Sequence, residues 1–201
     1  MTVAWMLPAS PRRPWTPPPP ARVPASVAAA YWTVTRDGTH LRPMTVRDAG
    51  PGRDFLLTQY AAFNADDNTV EGDRAFRDFV AVPALTARLA AGSVVQVADR
   101  RGTVLGVCEM HRDGYLTLLY VRGDHQGRGL GRRLFEQTLT RLRAVVPDLA
   151  RIRVRATPYA LGFYRALGFH ALADDAVEAQ GLRFHPLELP LEADAPAVTD
   201  T

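Results

Sequence analysis

The run from Glu109 to Val146 confines this chain to few folds. "EMHRDGYLTLLYV" is a pair of alternating apolar segments joined at Asp113-Gly114, a strong short-range signal for a β-hairpin. It leads directly into "RGDHQGRGLGRR", with glycine at the alternate positions Gly127, Gly129 and Gly131. A helical stripe follows, Leu130, Leu134, Phe135, Leu139, Leu142, Val145 and Val146, and Pro147 ends it. Strand, glycine loop and helix must therefore be consecutive. With Asp113-Gly114 as the loop, Arg112 faces Tyr115, His111 faces Leu116 and Glu109 faces Leu118. Val107, Glu109, His111, Leu116, Leu118 and Tyr120 then share one face, barring a bulge.

The first turn of a helix carries unpaired N–H groups and a partial positive charge. Glycines let those amides approach an anion with no Cβ in the way. Arg128, Arg132 and Arg133 add charge. The loop is not a Walker loop, because no Gly-Lys-Ser/Thr follows, and its G-x-G-x-G spacing is not the dinucleotide fingerprint. Read alone, it is an anion cradle or simply a glycine-rich helix entry.

Around this centre the punctuation is legible. "HLRPMTV" reads as a first strand, His40 to Val46. "GRDFLLTQYAAFN" and "DRAFRDFVAVPALTARLAAG" have helical spacing, with Pro83 kinking or dividing the second and Gly92 ending it. "SVVQVAD" and "TVLGVCEMHR" are β-branched runs separated by turn residues, and "RIRVRA" is a further strand. In "TPYALGFYRALGF", Thr157 is the expected N-cap, Pro158 the first helical residue and Gly168 the left-handed stop. "GLRFHPLELPL" is a final strand. The order of strand, two helices, three strands, helix, strand, helix, strand predicts an α+β domain with a mixed sheet.

Residues 1–35 are different. Eight of the sixteen prolines lie before residue 25, and no acidic residue precedes Asp37. This composition predicts a disordered extension rather than a signal peptide or amphipathic helix. The domain is expected over 36–191, with a flexible tail over 192–201. No segment reaches the length of a membrane span. The net charge of +3 is spread along the chain, and no nucleic-acid-binding signature is present. The one cysteine, Cys108, sits in an apolar run and reads as a small buried hydrophobe. A single thiol is in keeping with a reducing, cytoplasmic setting.

"LLYVRGDHQGRGLGRRLF" resembles the acetyl-CoA-binding motif of the GNAT (Gcn5-related) N-acetyltransferase superfamily, Gln126, Gly129 and Gly131 filling its fixed positions. "ATPYALGFYRALGF" resembles the second signature of that family. The resemblance spans about residues 40 to 190. It implies the GNAT acyltransferase fold, a mostly antiparallel twisted sheet flanked by helices. It also implies acetyl-CoA as co-substrate with no metal, and a small-molecule or peptide amine as acceptor, attacked directly at the thioester by a monomer or homodimer.

On this resemblance the amides from Gln126 through Gly127, Arg128, Gly129, Leu130 and Gly131 to Arg132 hold the coenzyme pyrophosphate. Leu119, Tyr120 and Val121 hydrogen-bond the pantetheine arm, and one of these amides polarises the thioester carbonyl. Phe163 packs by the thioester, and Tyr164 matches the tyrosine that protonates the leaving thiolate. Thr157 stands where relatives often carry an asparagine that contacts the cofactor, so its reach is shorter. Glu109, an acid in an apolar strand, and His111 are the candidate bases, directly or through water. The acidic loop with Asp66, Asp67, Glu71 and Asp73 is either a solvated helix cap or a collar for a cationic amine. Two other readings remain open on the sequence: a non-catalytic acyl-CoA sensor on the same fold, and a nucleotide-phosphate binder unrelated to CoA.

Overall fold

The computed structural model describes residues 33–64, 68–179 and 181–192. Most of the proline-rich leader, the last nine residues, Asp66 and Asp67 lie outside them. The elements are β1 (Thr33–Val34), β2 (His40–Pro43), α1 (Ala49–Phe63), α2 (Val70–Phe79), α3 (Val82–Ala90), β3 (Val94–Arg100), β4 (Thr103–Met110), β5 (Tyr115–Val121), α4 (Leu130–Val145), β6 (Arg151–Ala156), α5 (Leu161–Ala166), β7 (His170–Ala171), β8 (Val177–Ala179) and β9 (Leu182–Pro190). The sheet runs β1-β2-β3-β4-β5-β6-β9-β7, with β8 also on β9. Among the described residues only β5 and β6 pair in parallel. The mixed, mostly antiparallel α+β domain expected from the sequence is the fold observed.

Two apolar layers sandwich this sheet. On one face Leu134, Phe135 and Leu142 of α4 and Tyr164 of α5 pack on Cys108, Met110, Leu116, Leu119 and Val154. On the other, Leu56 and Tyr60 of α1, Phe76 of α2 and Leu85 of α3 pack on Val95, Val97, Val107, Leu118 and Tyr120. Each fully buried side chain of this size stabilises the domain by roughly 1.5–3 kcal/mol. Cys108 lies inside the first layer, and burial pushes its thiol up to about 12.

Two expectations need correction. The first strand stops at Pro43, not Val46. Thr45 there donates its amide and hydroxyl to Asp48, each at 2.8 Å, opening a short 3-10 turn. The helical segment around Pro83 is divided, one of the two outcomes expected, with Pro83 in the first turn of α3, where its missing N–H costs nothing. The β4–β5 hairpin has a three-residue loop. His111 N–H donates to the Tyr115 carbonyl at 2.7 Å, and Gly114 takes φ +85. That left-handed residue matches the twist of the strands it joins.

The longer loop shifts the register. Met110 pairs with Leu116 while Glu109 still pairs with Leu118, so Thr117 is an extra residue. Its hydroxyl donates to the Glu109 carbonyl at 3.3 Å. Leu116 therefore packs under α4 with Met110, on the opposite face from Leu118 and Tyr120.

Candidate active site

The parallel register of β5 and β6 covers Tyr115–Arg153 and Leu116–Val154 and goes no further. Beyond it β5 remains paired with β4 through Leu118, Leu119, Tyr120 and Val121. The β6-facing edge of Leu119, Tyr120 and Val121 is therefore free of a strand partner, and a wedge opens between two adjacent strands. Thr157 and the short turn Pro158–Ala160 leave β6 at the open end.

The glycine loop closes the top of this wedge. Gly127 and Gly129 take φ +70 and +82, conformations that side chains rarely adopt, and nothing lies within 4 Å of where their Cβ atoms would be. Gly129 caps α4, and the first helical bond is Arg133 N–H to the Gly129 carbonyl at 3.1 Å. The amides of Leu130, Gly131 and Arg132 thus precede the helical ladder and point out of its positive end. Leu130 buries its own side chain in the core, so it offers the outside only its backbone.

Gln126 braces the loop. Its Nε2 donates to the Val121 carbonyl at 3.0 Å, and its Oε1 accepts from the Tyr159 hydroxyl at 2.8 Å. Tyr159 in turn stacks on Phe63, with ring centroids 5.5 Å apart. His125 is pinned as well. Arg100 can only donate, so the His125 Nε2, 3.3 Å from it, accepts, and Nδ1 carries the proton toward Asp124 at 2.7 Å. Of the loop arginines, Arg132 reaches the Ala166 carbonyl at 2.7 Å and so ties α4 to α5. Arg128 and Arg133 are exposed and line a cavity of about 300 Å³ beside Thr35 and His125.

Tyr164 is fully buried, and its hydroxyl has no hydrogen-bond partner. Phe163 and Phe169 hold the ring edge-on, at 5.3 Å each. Burial, with a smaller contribution from Cys108, pushes the phenol well above its ordinary range, so it carries its proton at neutral pH. Tyr120 on the splayed segment is likewise buried and unpartnered, and burial pushes its phenol well above its ordinary range. Each of these buried hydroxyls forfeits about 1–3 kcal/mol of desolvation without a partner.

The remaining sequence candidates are dispersed. Both Glu109 oxygens are held by Arg88, at 2.7 and 3.1 Å, and the carboxylate is wholly buried on the α1–α3 side. His111 lies at the hairpin end of β5, its Nδ1 3.7 Å from Asp113, some 20 Å of strand away from the glycine loop. Thr157 occupies the N-cap position but makes no side-chain cap bond, contrary to expectation. Glu71 is exposed in the first turn of α2, where its own backbone amide and the Thr69 hydroxyl lower its carboxyl. Asp73 pairs with Arg77 at 2.7 Å. Sequence reasoning did not find Arg88, Tyr159, Asn64 or Arg155. Only Asn64 carried a signal, a polar residue closing an apolar helical stripe.

Comparison with known proteins fits this geometry. A family model described as an acetyltransferase (GNAT) domain matches residues 64–191, well over half of the chain. The fold is similar to that of a Gcn5-related N-acetyltransferase from Rhodopseudomonas palustris, at 24% identity and a TM-score of 0.63 over 75% of this chain and 94% of that one. It is also similar to the PaiA N-acetyltransferase of Thermoplasma acidophilum, solved in complex with coenzyme A, at 13% identity and a TM-score of 0.63 over 77% of this chain and 99% of that one. YncA of Salmonella typhimurium, solved with acetyl-CoA, shares 22% identity at a TM-score of 0.55 over 82% of this chain and 99% of that one. No curated protein matches the chain. The domain match, spanning the splayed strands, the glycine loop and the helix of Tyr164, makes this chain a member of the GNAT acetyltransferase family.

Proposed function

We propose that this protein is an N-acetyltransferase that moves an acetyl group from acetyl-CoA to a primary amine of a small molecule or peptide. The observation that carries this reading is the buried, unpartnered hydroxyl of Tyr164 at the wedge that the glycine loop closes. A phenol kept protonated in the layer that also holds Leu119 and Val121 of the splayed strand is suited to donate a proton to a leaving thiolate.

The residues present fit the coenzyme. The space left at Gly127 and Gly129 would admit phosphate oxygens to the amides between Gln126 and Arg132. The unpaired edge at Leu119, Tyr120 and Val121 offers backbone groups to an extended pantetheine arm, and one N–H there would stabilise charge on the carbonyl oxygen. Phe163 walls the seat against water beside Tyr164. When bound, acetyl-CoA supplies the activated acyl group.

The acceptor must lose a proton before or as it attacks. Glu109 is engaged by Arg88, and His111 stands at the far end of the strand, so solvent water is the proton's route. The domain extends over residues 36–191 in this reading, with Thr33–Val34 at the end of the leader pairing onto β2 at its edge. The test is thiol release from acetyl-CoA against a panel of amines. Tyr164→Phe should lower kcat by about 100-fold or more while the Kd for CoA stays within a factor of about two. An unchanged kcat would remove Tyr164 from the chemistry.

A further inference from the structure

A second opening lies on the α1 side of the wedge. Asn64, Asn68, Arg155, Thr157, Leu182 and Phe184 line it, and Arg183 stands at its rim. Its free volume in this state, about 10 Å³, is that of a single water. Its walls are unusual. Asn64 is only 3% exposed, and both atoms of its side-chain amide lack a partner. Its backbone is satisfied, the N–H by Tyr60 and the carbonyl by Asn68 at 2.8 Å. The unused groups are thus those of the side chain alone.

Arg155 is the second unusual wall. Its guanidinium stacks on Phe184, 4.5 Å from the ring centroid, and it bonds the Tyr115 hydroxyl. Nη1 is nonetheless buried and unpartnered. Neighbouring cations of β6 do have carboxylates, Arg151 and Arg153 both reaching Glu188. Arg155 has none among the described residues, and the described lining of the cleft carries two arginines and no acid. A buried guanidinium N–H facing an acid-free space is a seat for a planar anion.

The cleft also connects to the proposed chemistry. Asn68 donates to the Tyr60 hydroxyl at 3.1 Å. Tyr60 stacks on Phe76, ring centroids 4.1 Å apart, and Phe76 lies 5.9 Å from the ring of Tyr120 on the splayed strand. A ligand anchored at Arg155 would therefore extend past Thr157 toward the splayed strand. We infer that the acceptor is a small amine that also bears a carboxylate, with Arg155 Nη1 and the Asn64 Nδ2 binding the carboxylate and Asn64 Oδ1 free to accept from the amine. This rests on the acetyl-transfer reading above.

The test uses the full chain with saturating acetyl-CoA and a panel of α-, β- and γ-amino acids, each beside its amide and its decarboxylated amine. At least one amino acid should exceed its amide in kcat/KM by about tenfold or more. Arg155→Met should raise KM for that amino acid by about tenfold, with little change in kcat. The same variant should leave the thermal shift caused by CoA and the slow turnover of neutral amines intact. Arg155→Lys should recover part of the discrimination. In the presence of CoA the same amino acid should raise the melting temperature of wild type and not of Arg155→Met, whether or not it turns over. Equal use of amino acids and amides overturns the inference, as does absence of any such shift. So does an Arg155→Met variant that slows every acceptor alike. Turnover restricted to neutral amines would sink this inference and leave acetyl transfer standing, whereas loss of CoA binding and of all thiol release would sink both.

Discussion

Arg88 grips Glu109 across 21 residues of sequence with Nε and Nη2, at 2.7 and 3.1 Å, and no part of the Glu109 side chain reaches solvent. The same guanidinium donates to the Phe79 carbonyl at 2.7 Å and lies 3.8 Å over the Phe79 ring. One side chain thus fastens α3 to the end of α2 and to the hairpin end of β4. Removing one partner of such a pair strands the other as a buried charge. Glu109→Gln should lower the unfolding free energy by about 3 kcal/mol, and Arg88→Met by a similar amount, measured by urea titration. The double variant Arg88→Met, Glu109→Met should recover most of the loss. The folded fraction of Glu109→Gln should keep kcat within about tenfold, whereas loss of a general base costs 100- to 10,000-fold.

The shift at Tyr164 sets the pH profile. Burial raises its phenol well above 10, so the proton is present at every pH below that and departs only above it. With no basic limb from the donor, kcat/KM should climb from about pH 6 to about pH 9 as the acceptor amine loses its proton. Tyr164→Phe should lower the whole curve without changing its shape. A descending limb near pH 8 that vanishes in Tyr164→Phe would contradict the assignment.

Much of this site was legible because local chemistry fixes it. Gly168, at φ +94, ends its helix as expected, and Pro158 opens the turn before α5. The alternate glycines pointed to exposed backbone amides at a helix start, and the left-handed φ of Gly127 and Gly129 is the second reason for glycine there. What stayed hidden depends on contacts distant in sequence. No spacing rule joins Arg88 to Glu109, Tyr159 to Phe63, or Asn64 to Arg155. The Thr117 bulge escaped because Asp113-Gly114 serves equally in a two-residue or a three-residue loop, and only packing selects between them. The strands Thr33–Val34, His170–Ala171 and Val177–Ala179 are too short to carry a period.

Gly129 separates binding from folding. A Cβ there would meet no atom within 4 Å, so the cost to the fold is the left-handed backbone at φ +82 alone, about 1–2 kcal/mol. In the proposed reading that Cβ would occupy the seat of the coenzyme's phosphate. Gly129→Ala should weaken CoA binding by about tenfold or more in calorimetry. Equal binding in a destabilised variant would show that the glycine serves the turn and not the ligand.

Gly72 is the converse case, a glycine required by a neighbour. It lies inside α2, where alanine is intrinsically better by about 1 kcal/mol. A Cβ there would stand 2.7 Å from the Gly181 carbonyl oxygen, the atom that accepts from Thr69 N–H at 3.1 Å. Backbone must move, so Gly72→Ala should destabilise by about 1–3 kcal/mol despite its helix propensity. The shift should also reach Leu182 and Phe184 and alter acceptor KM more than CoA affinity, read by steady-state kinetics.

Asp48 contributes to the acid limb of stability. Arg42 bonds both its oxygens at 2.8 Å, and that guanidinium, aided by Thr45, lowers its carboxyl from 3.8 to about 2. A carboxylate whose folded value lies below its unfolded one stabilises at pH above the unfolded value. It loses that contribution as pH falls through the folded value. The window is therefore about pH 4 down to about pH 2, and with solvent screening allowed for the effect is on the order of 1 kcal/mol. Arg42 also holds Asp99 at 2.7 Å, so the pair ties the first 3-10 turn to β3 through β2. Asp48→Asn should be less stable than wild type at pH 7 by about that amount, and the two stability curves should converge by about pH 2 in urea titrations. Parallel curves across that window would mean that Asp48 titrates in the folded protein as it does in the unfolded chain.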